Sequence, residues 1–204
     1  MTAGTLVLLR HGRTPWNVAG RLQGQAEVDL DEVGVAQAAA VAQALATLQP
    51  SAIVSSDLRR AADTAAALSA ASGVAVTHDQ RLRERAFGKW EGLTHAQLQR
   101  DWPEEYPVWV AGGVPDGIGA ESRSATGVRV ATAITEHAQQ LGPDDSLVVV
   151  THGAAISAGI SCLLGMDPDS WHGISGVANC HWSELQPTRS GKPQWRVFRH
   201  DIGA

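Results

Sequence analysis

The chain has 204 residues and a mass of 21.5 kDa, enough for one domain, 1–204, that buries most of the surface its unfolded form exposes. A composition of 44% hydrophobic and 18% charged residues excludes a disordered chain, and 21 acidic against 16 basic residues leave no global positive charge for nucleic acid. Two cysteines without metal-type spacing, no basic n-region with a signal-length apolar run, and no stretch near 18 apolar residues exclude a disulfide scaffold and a membrane partner, so a soluble cytoplasmic protein is expected.

Thr5–Leu9 is a short apolar run that ends in Arg10-His11-Gly12, as suits a strand buried on both faces. Asp31 caps a predicted helix through Gly34, Ala38, Val41, Leu45 and Leu48, which Pro50 stops. Ala52–Ser55 is a second buried strand, followed by an Ala-rich helix to about Ser72, the stop signal Gly73, and a third strand at Val74–Val76. Alternation of this kind predicts an α/β fold, a mostly parallel sheet with helices on its faces. The rhythm breaks at about 81–124, a segment rich in Gly, Pro and Trp whose one helical piece is Thr94–Asp101; it is expected to be an irregular insertion that covers a site. A helix at about Ala125–Leu141, a strand at Leu147–Val150 that runs into Thr151-His152-Gly153, a small-residue helix to Gly165, and strands at Val177–Leu185 and Trp195–Phe198 complete the expected order.

Two buried strands thus each end in His-Gly. Ligands of open parallel sheets bind beyond the carboxyl ends of the strands, so His11 and His152 are expected to face one site. A glycine after each lets backbone approach a ligand, and the helix that follows directs amide donors at an anion. Fourteen of the 16 basic residues are Arg, and eight of the 16 lie between Arg10 and Arg85. A coding bias explains the Arg excess as well as an anion site does, and only position separates the two. A neutral imidazole attacks phosphorus, guanidinium donors meet the equatorial oxygens, and an acid protonates the leaving group. Arg10, Arg60 and His152 are candidates for the donors and Glu84 for the acid, although from the residues alone Arg81–Arg85 reads more readily as a solvated charged turn.

Leu9-Arg10-His11-Gly12-Arg13-Thr14-Pro15-Trp16-Asn17 with Gln23-Gly24, Ser55-Ser56-Asp57-Leu58-Arg59-Arg60-Ala61, Leu82-Arg83-Glu84 with Gly88-Lys89-Trp90-Glu91-Gly92, and Val150-Thr151-His152-Gly153 stand in the order of the histidine phosphatase superfamily motifs. The chain resembles its phosphoglycerate mutase-like branch, and within it most resembles the actinobacterial glucosyl-3-phosphoglycerate phosphatases. That resemblance implies a three-layer α/β/α sandwich and a phosphoenzyme formed on His11. It implies a phosphate pocket of Arg10, Arg60 and His152, with Glu84 as proton donor. Asn17, Gln23, Gly24 and Gly153 are then substrate contacts. The implied reaction is metal-independent and cofactor-free hydrolysis of a small phosphorylated sugar or glycerate. Mutase-like transfer, a broad-specificity phosphatase and a non-catalytic binding protein are the alternatives; mutases of the family are longer. Arg13, Ala154 and Ala120 depart from the usual pattern, and Arg13 is expected to favour a second anionic group on the substrate. The seven tryptophans suit core and lid packing; Trp90, Trp102 or Trp109 can instead wall a sugar site, and Trp171, Trp182 and Trp195 a homodimer surface.

Overall fold

A computed structural model describes residues 2–204. Six strands form one sheet in the order β3-β2-β4-β1-β5-β6: β1 Thr5–Arg10, β2 Ala52–Ser55, β3 Val76–His78, β4 Ser146–Thr151, β5 Trp182–Pro187 and β6 Trp195–Ile202. The first four pair parallel, and β5 and β6 add an antiparallel edge. Alternation of side chains across each strand explains why the central runs are apolar throughout. Leu6, Leu8, Leu147 and Val149 face one layer, α6 (Arg123–Ala138) and α7 (Gly153–Leu163). Val7, Leu9, Val148 and Val150 face the other, α2 (Glu32–Ala46) and α3 (Arg59–Ser72). The expected three-layer α/β/α sandwich is therefore present.

Local signals set most helix ends. Asp31 accepts from Gly34 N at 2.7 Å and starts α2, whose buried Gly34, Ala38, Val41, Ala42 and Leu45 recur at helical spacing. Ser122 accepts from Ala125 N at 2.9 Å, so α6 begins two residues earlier than expected and ends at Ala138. The third strand is displaced from Val74–Val76 to Val76–His78, because Ile53 on β2 registers with Val76. The penultimate strand starts at Trp182 and not Val177, since Cys180 takes a positive φ of 54° and cannot continue extended chain.

The segment 81–124 is more ordered than expected. It holds α4 (His95–Asp101) and α5 (Glu105–Val110), and its own cluster of Phe87, Trp90, Leu98 and Ile118. Trp102, Tyr106 and Trp109 pack on that cluster. A further short helix absent from the sequence reading, α1 (Pro15–Val18), is capped reciprocally by Thr14 and Asn17. Trp182 and Trp195 are buried within the subunit, at 8% and 0% exposure, which removes them from any homodimer surface. Among the described residues no helix is long and apolar enough to cross a membrane.

Candidate active site

The register of β1 on β4 aligns Arg10 with Thr151, so the residues that follow, His11 and His152, leave adjacent strands side by side. Their rings are 5.2 Å apart at 57°. Ser55 on β2 registers with Val150, which brings Ser56 to the same edge. Three neighbouring strand ends thus build the floor of one site, as open α/β sheets require.

Around them lies a cavity of about 200 Å³ lined by Arg10, His11, Asn17, Gln23, Arg60, Glu84 and Gly153. Every expected site residue except His152 and Gly24 is on that lining, and both exceptions stand one step behind it. His152 is fully buried against the His11 ring. Gly24 lends its carbonyl to Arg60 Nη2 at 2.7 Å. Gly24 has a φ of 53°, and a Cβ there would run into the Glu91 carboxylate, so the position demands glycine. Gly12 is equally constrained: its Cβ would lie 2.5 Å from the Gly34 carbonyl oxygen, where the loop crosses the first turn of α2.

The electrostatics are those of an anion site. Arg10 and Arg60 are largely buried and meet no carboxylate within salt-bridge distance among the described residues. Arg10 Nη1 donates to Val177 O at 2.7 Å, and Arg60 Nη1 to Ala26 O at 2.8 Å. Burying an ion without a counter-ion costs on the order of several kcal/mol, a cost a folded chain retains where a ligand supplies the missing charge. Arg10 Nε, Arg60 Nε and His152 Nδ1 are moreover buried without a hydrogen-bond partner. Native interiors leave few such groups unpaired, and three sit at one site.

Burial, reinforced by the charges of Arg60 and Arg10, holds the His11 pKa well below the ordinary imidazole value of 6.5. Its Nδ1 lies 2.7 Å from the Gly12 carbonyl, which can only accept, so the proton of the neutral ring sits on Nδ1 and Nε2 keeps its lone pair. His152 is likewise held well below 6.5 by burial and then by Arg60, His11 and Arg10. Ser56 Oγ accepts from Leu58 N and lies 2.8 Å from His152 Nε2, the one acceptor among the described residues within reach of its hydroxyl proton; the tautomer that accepts this proton at Nε2 carries its own at Nδ1, as a free donor.

Glu84 is gripped by backbone. Its Oε1 accepts from Arg85 N and Ala155 N, both at 2.9 Å, and its Oε2 from Ala154 N at 3.1 Å, at the start of α7. Neither flanking guanidinium is turned to it: Arg83 grips Asp57 at 2.6 and 2.7 Å, and Arg85 donates to Glu121 O at 2.6 Å. Arg13, expected near the substrate, is paired with the α2 cap Asp31 at 2.8 Å and does not line the cavity. Residues to which the sequence alone assigns no role also belong here. Asn179 Nδ2 donates to His11 O at 3.0 Å, Arg21 and Phe87 complete the rim, and Arg129 on α6 holds the segment that carries Glu84. Among the described residues no group of three or more His, Cys, Asp or Glu could hold a metal ion.

Comparison with known proteins agrees with this geometry. Residues 6–200 match the histidine phosphatase superfamily (branch 1). The chain is 41% identical over 192 residues to the glucosyl-3-phosphoglycerate phosphatase of Mycobacterium tuberculosis, covering 91% of this chain and 86% of that one. It is 37% identical over 159 residues to a metal-independent phosphoserine phosphatase of Arabidopsis thaliana, covering 75% and 66% of the two chains. Among solved structures, a mycobacterial glucosyl-3-phosphoglycerate phosphatase in complex with VO3 superposes with a TM-score of 0.89 at 38% identity, over 98% of this chain and 99% of that one. With two strand-end histidines, unpaired buried arginines and a match along nearly its whole length, the chain belongs to the histidine phosphatase superfamily.

Proposed function

We propose that the protein is a phosphomonoester hydrolase in which His11 carries the phosphoryl group between two displacements, and that its substrate is glucosyl-3-phosphoglycerate or a closely related phosphorylated sugar acid. The observation that carries the reading is the set of three buried, unpartnered donors, Arg10 Nε, Arg60 Nε and His152 Nδ1, beside a neutral His11. His11 Nε2 attacks phosphorus, the ester P–O bond breaks, and the leaving alkoxide takes its proton from the Glu84 carboxyl. Water then attacks the phosphohistidine, Glu84 accepts a proton from it, the N–P bond breaks, and phosphate departs. Negative charge on the equatorial oxygens is met by guanidinium and imidazole donors, so the scheme calls for neither metal nor cofactor. Asn17, Gln23 and Gly153 contact the substrate from the rim, and Gly24 acts by fixing Arg60. Hydrolysis is preferred to mutase-like transfer because mycobacterial relatives about 40% identical over nine-tenths of the chain are named phosphatases. Two cysteines, neither bridged, support a reducing, cytoplasmic setting.

Rapid quench after mixing with phosphorus-labelled glucosyl-3-phosphoglycerate tests the scheme. One equivalent of acid-labile label is expected on His11, and His11→Ala is expected to lose both the label and about four orders of magnitude in kcat. Label on another residue, or turnover that survives the substitution, would overturn it. The substrate assignment is tested separately: kcat/KM for glucosyl-3-phosphoglycerate should exceed that for phosphoserine and 3-phosphoglycerate by about tenfold or more. Equal values would remove the substrate assignment and leave the phosphohistidine untouched.

A further inference from the structure

A second cavity, about 560 Å³, opens beside the first. Phe87 is the partition. It lines the phosphoryl cavity, meets Trp109 of the second cavity edge-on at 6.5 Å, and lies 5.7 Å beneath the Arg85 guanidinium. The second lining carries Arg85, Arg123, His95 and His172 but no carboxylate residue.

Its arginines resemble those of the phosphoryl site. Arg85 is 5% exposed, spends Nε on the Glu121 carbonyl, and has its buried Nη2 without a partner. Arg123 donates only to the Pro168 carbonyl, at 2.9 Å. Every arginine outside these two cavities and the β5–β6 hairpin pairs with a carboxylate. Free guanidiniums in this acidic protein are therefore confined, apart from that hairpin, to two concave sites. The second differs from the first in its aromatic wall, where Trp109 stands 5.2 Å from His95 and 6.0 Å from Tyr106. Such a wall offers an apolar face to a ring, while the guanidinium fork takes a planar or tetrahedral oxyanion.

We propose that this second cavity binds a small organic anion that carries a sugar-type ring, its carboxylate or phosphate held by Arg85 and Arg123 and its ring laid against Trp109. The ligand is either the distal end of the hydrolase's own substrate or a separate metabolite of the same chemistry. The proposal goes beyond the phosphoryl reaction and does not require His11 to be the nucleophile.

Calorimetric titration of the full-length protein with glucosylglycerate and with glucuronate tests it, since both carry a carboxylate and a ring but no phosphate. Methyl glucoside, which lacks the charge, is the control. Saturable binding of at least one acid is expected, weakened about tenfold or more in Arg123→Ala and in Arg85→Gln, with no binding of the control. No saturable binding of either acid, or equal binding by wild type and both variants, would overturn the proposal. Circular dichroism and unchanged hydrolysis of 4-nitrophenyl phosphate by Arg123→Ala show that the fold is intact. If Arg123→Ala also raises KM for glucosyl-3-phosphoglycerate, the ligand is the substrate's distal end; if KM is unmoved while the acids still bind, it is a separate molecule. Failure to hydrolyse glucosyl-3-phosphoglycerate at all is a different result, and leaves the titration interpretable.

Discussion

Glu84 lies between two arginines in the chain and touches neither guanidinium. Its carboxylate is oriented by the backbone N–H groups of Arg85, Ala154 and Ala155, which fixes where a proton can be delivered. The alkoxide of a sugar acid needs that proton to leave, whereas 4-nitrophenolate departs without it. Glu84→Gln is therefore expected to slow the first step on an alkyl phosphate by about 10²–10⁴. On 4-nitrophenyl phosphate the same variant should release one equivalent of nitrophenol in a burst and then turn over slowly, because water now lacks its base. Stopped-flow absorbance would show the burst; its absence would remove Glu84 from the scheme. From the chain alone Arg81–Arg85 reads more readily as a solvated turn. What decides is that Asp57, 26 residues earlier, takes Arg83 and the Glu121 carbonyl, 36 residues later, takes Arg85, and no local pattern encodes either contact. Arg13 shows the converse: its charge is visible in the chain, but its neutralisation by Asp31 is not.

Strand alternation and the two His-Gly ends were legible because each is a local pattern with a physical cause. The register that sets Arg10 opposite Thr151 is a property of the assembled sheet, and it turns two similar motifs into one site. The support of the segment that carries Glu84 was not legible for the same reason. Arg129 on α6 donates to the carbonyls of Arg81 at 2.7 Å, Arg83 at 2.6 Å and Glu84 at 2.9 Å, while Thr151 at the end of β4 donates to Leu82 O at 2.6 Å. Four consecutive carbonyls are thus held by two elements, and Glu121 pairs with Arg129 at 2.7 Å from the other side. In sequence Arg129 is an ordinary helix arginine. Lysine at 129 keeps the charge but cannot reproduce the fork. Arg129→Lys is expected to copy Glu84→Gln in milder form, slowing hydrolysis of an alkyl phosphate about 10–100-fold while the nitrophenol burst survives. The double variant should be no slower than Glu84→Gln alone, as expected of residues that act through one group. An equal loss on both substrates would make Arg129 a stability residue only.

Across the whole molecule, positive charge is left unpaired at its cavities and neutralised nearly everywhere else, and that arrangement is bought with stability. Beside buried Arg10 and Arg60, His11 and His152 are held neutral first by burial and then by the guanidinium charges, since two further positive charges would outnumber the one carboxylate, Glu84, on the cavity lining. Both folded-state pKa values lie below the unfolded one, so below pH 6.5 the unfolded chain takes up protons that the folded chain refuses. Stability supplied by the two neutral rings is accordingly complete above pH 6.5 and drains away as the pH falls through and below that value. Lowering the pH from 7.5 to 5.5 is therefore expected to lower Tm, with each of the two rings contributing to the fall. The paired carboxylates do not act in this window. Asp79, held at about 2 chiefly by its hydrogen bond with Arg81, loses its contribution only in much stronger acid. Calorimetry at the two pH values should show the drop in wild type and about half of it in His11→Ala, where one of the two rings is gone. Parallel pH slopes for the two proteins would mean that other groups titrate, and that the His11 imidazole is not kept neutral by its surroundings.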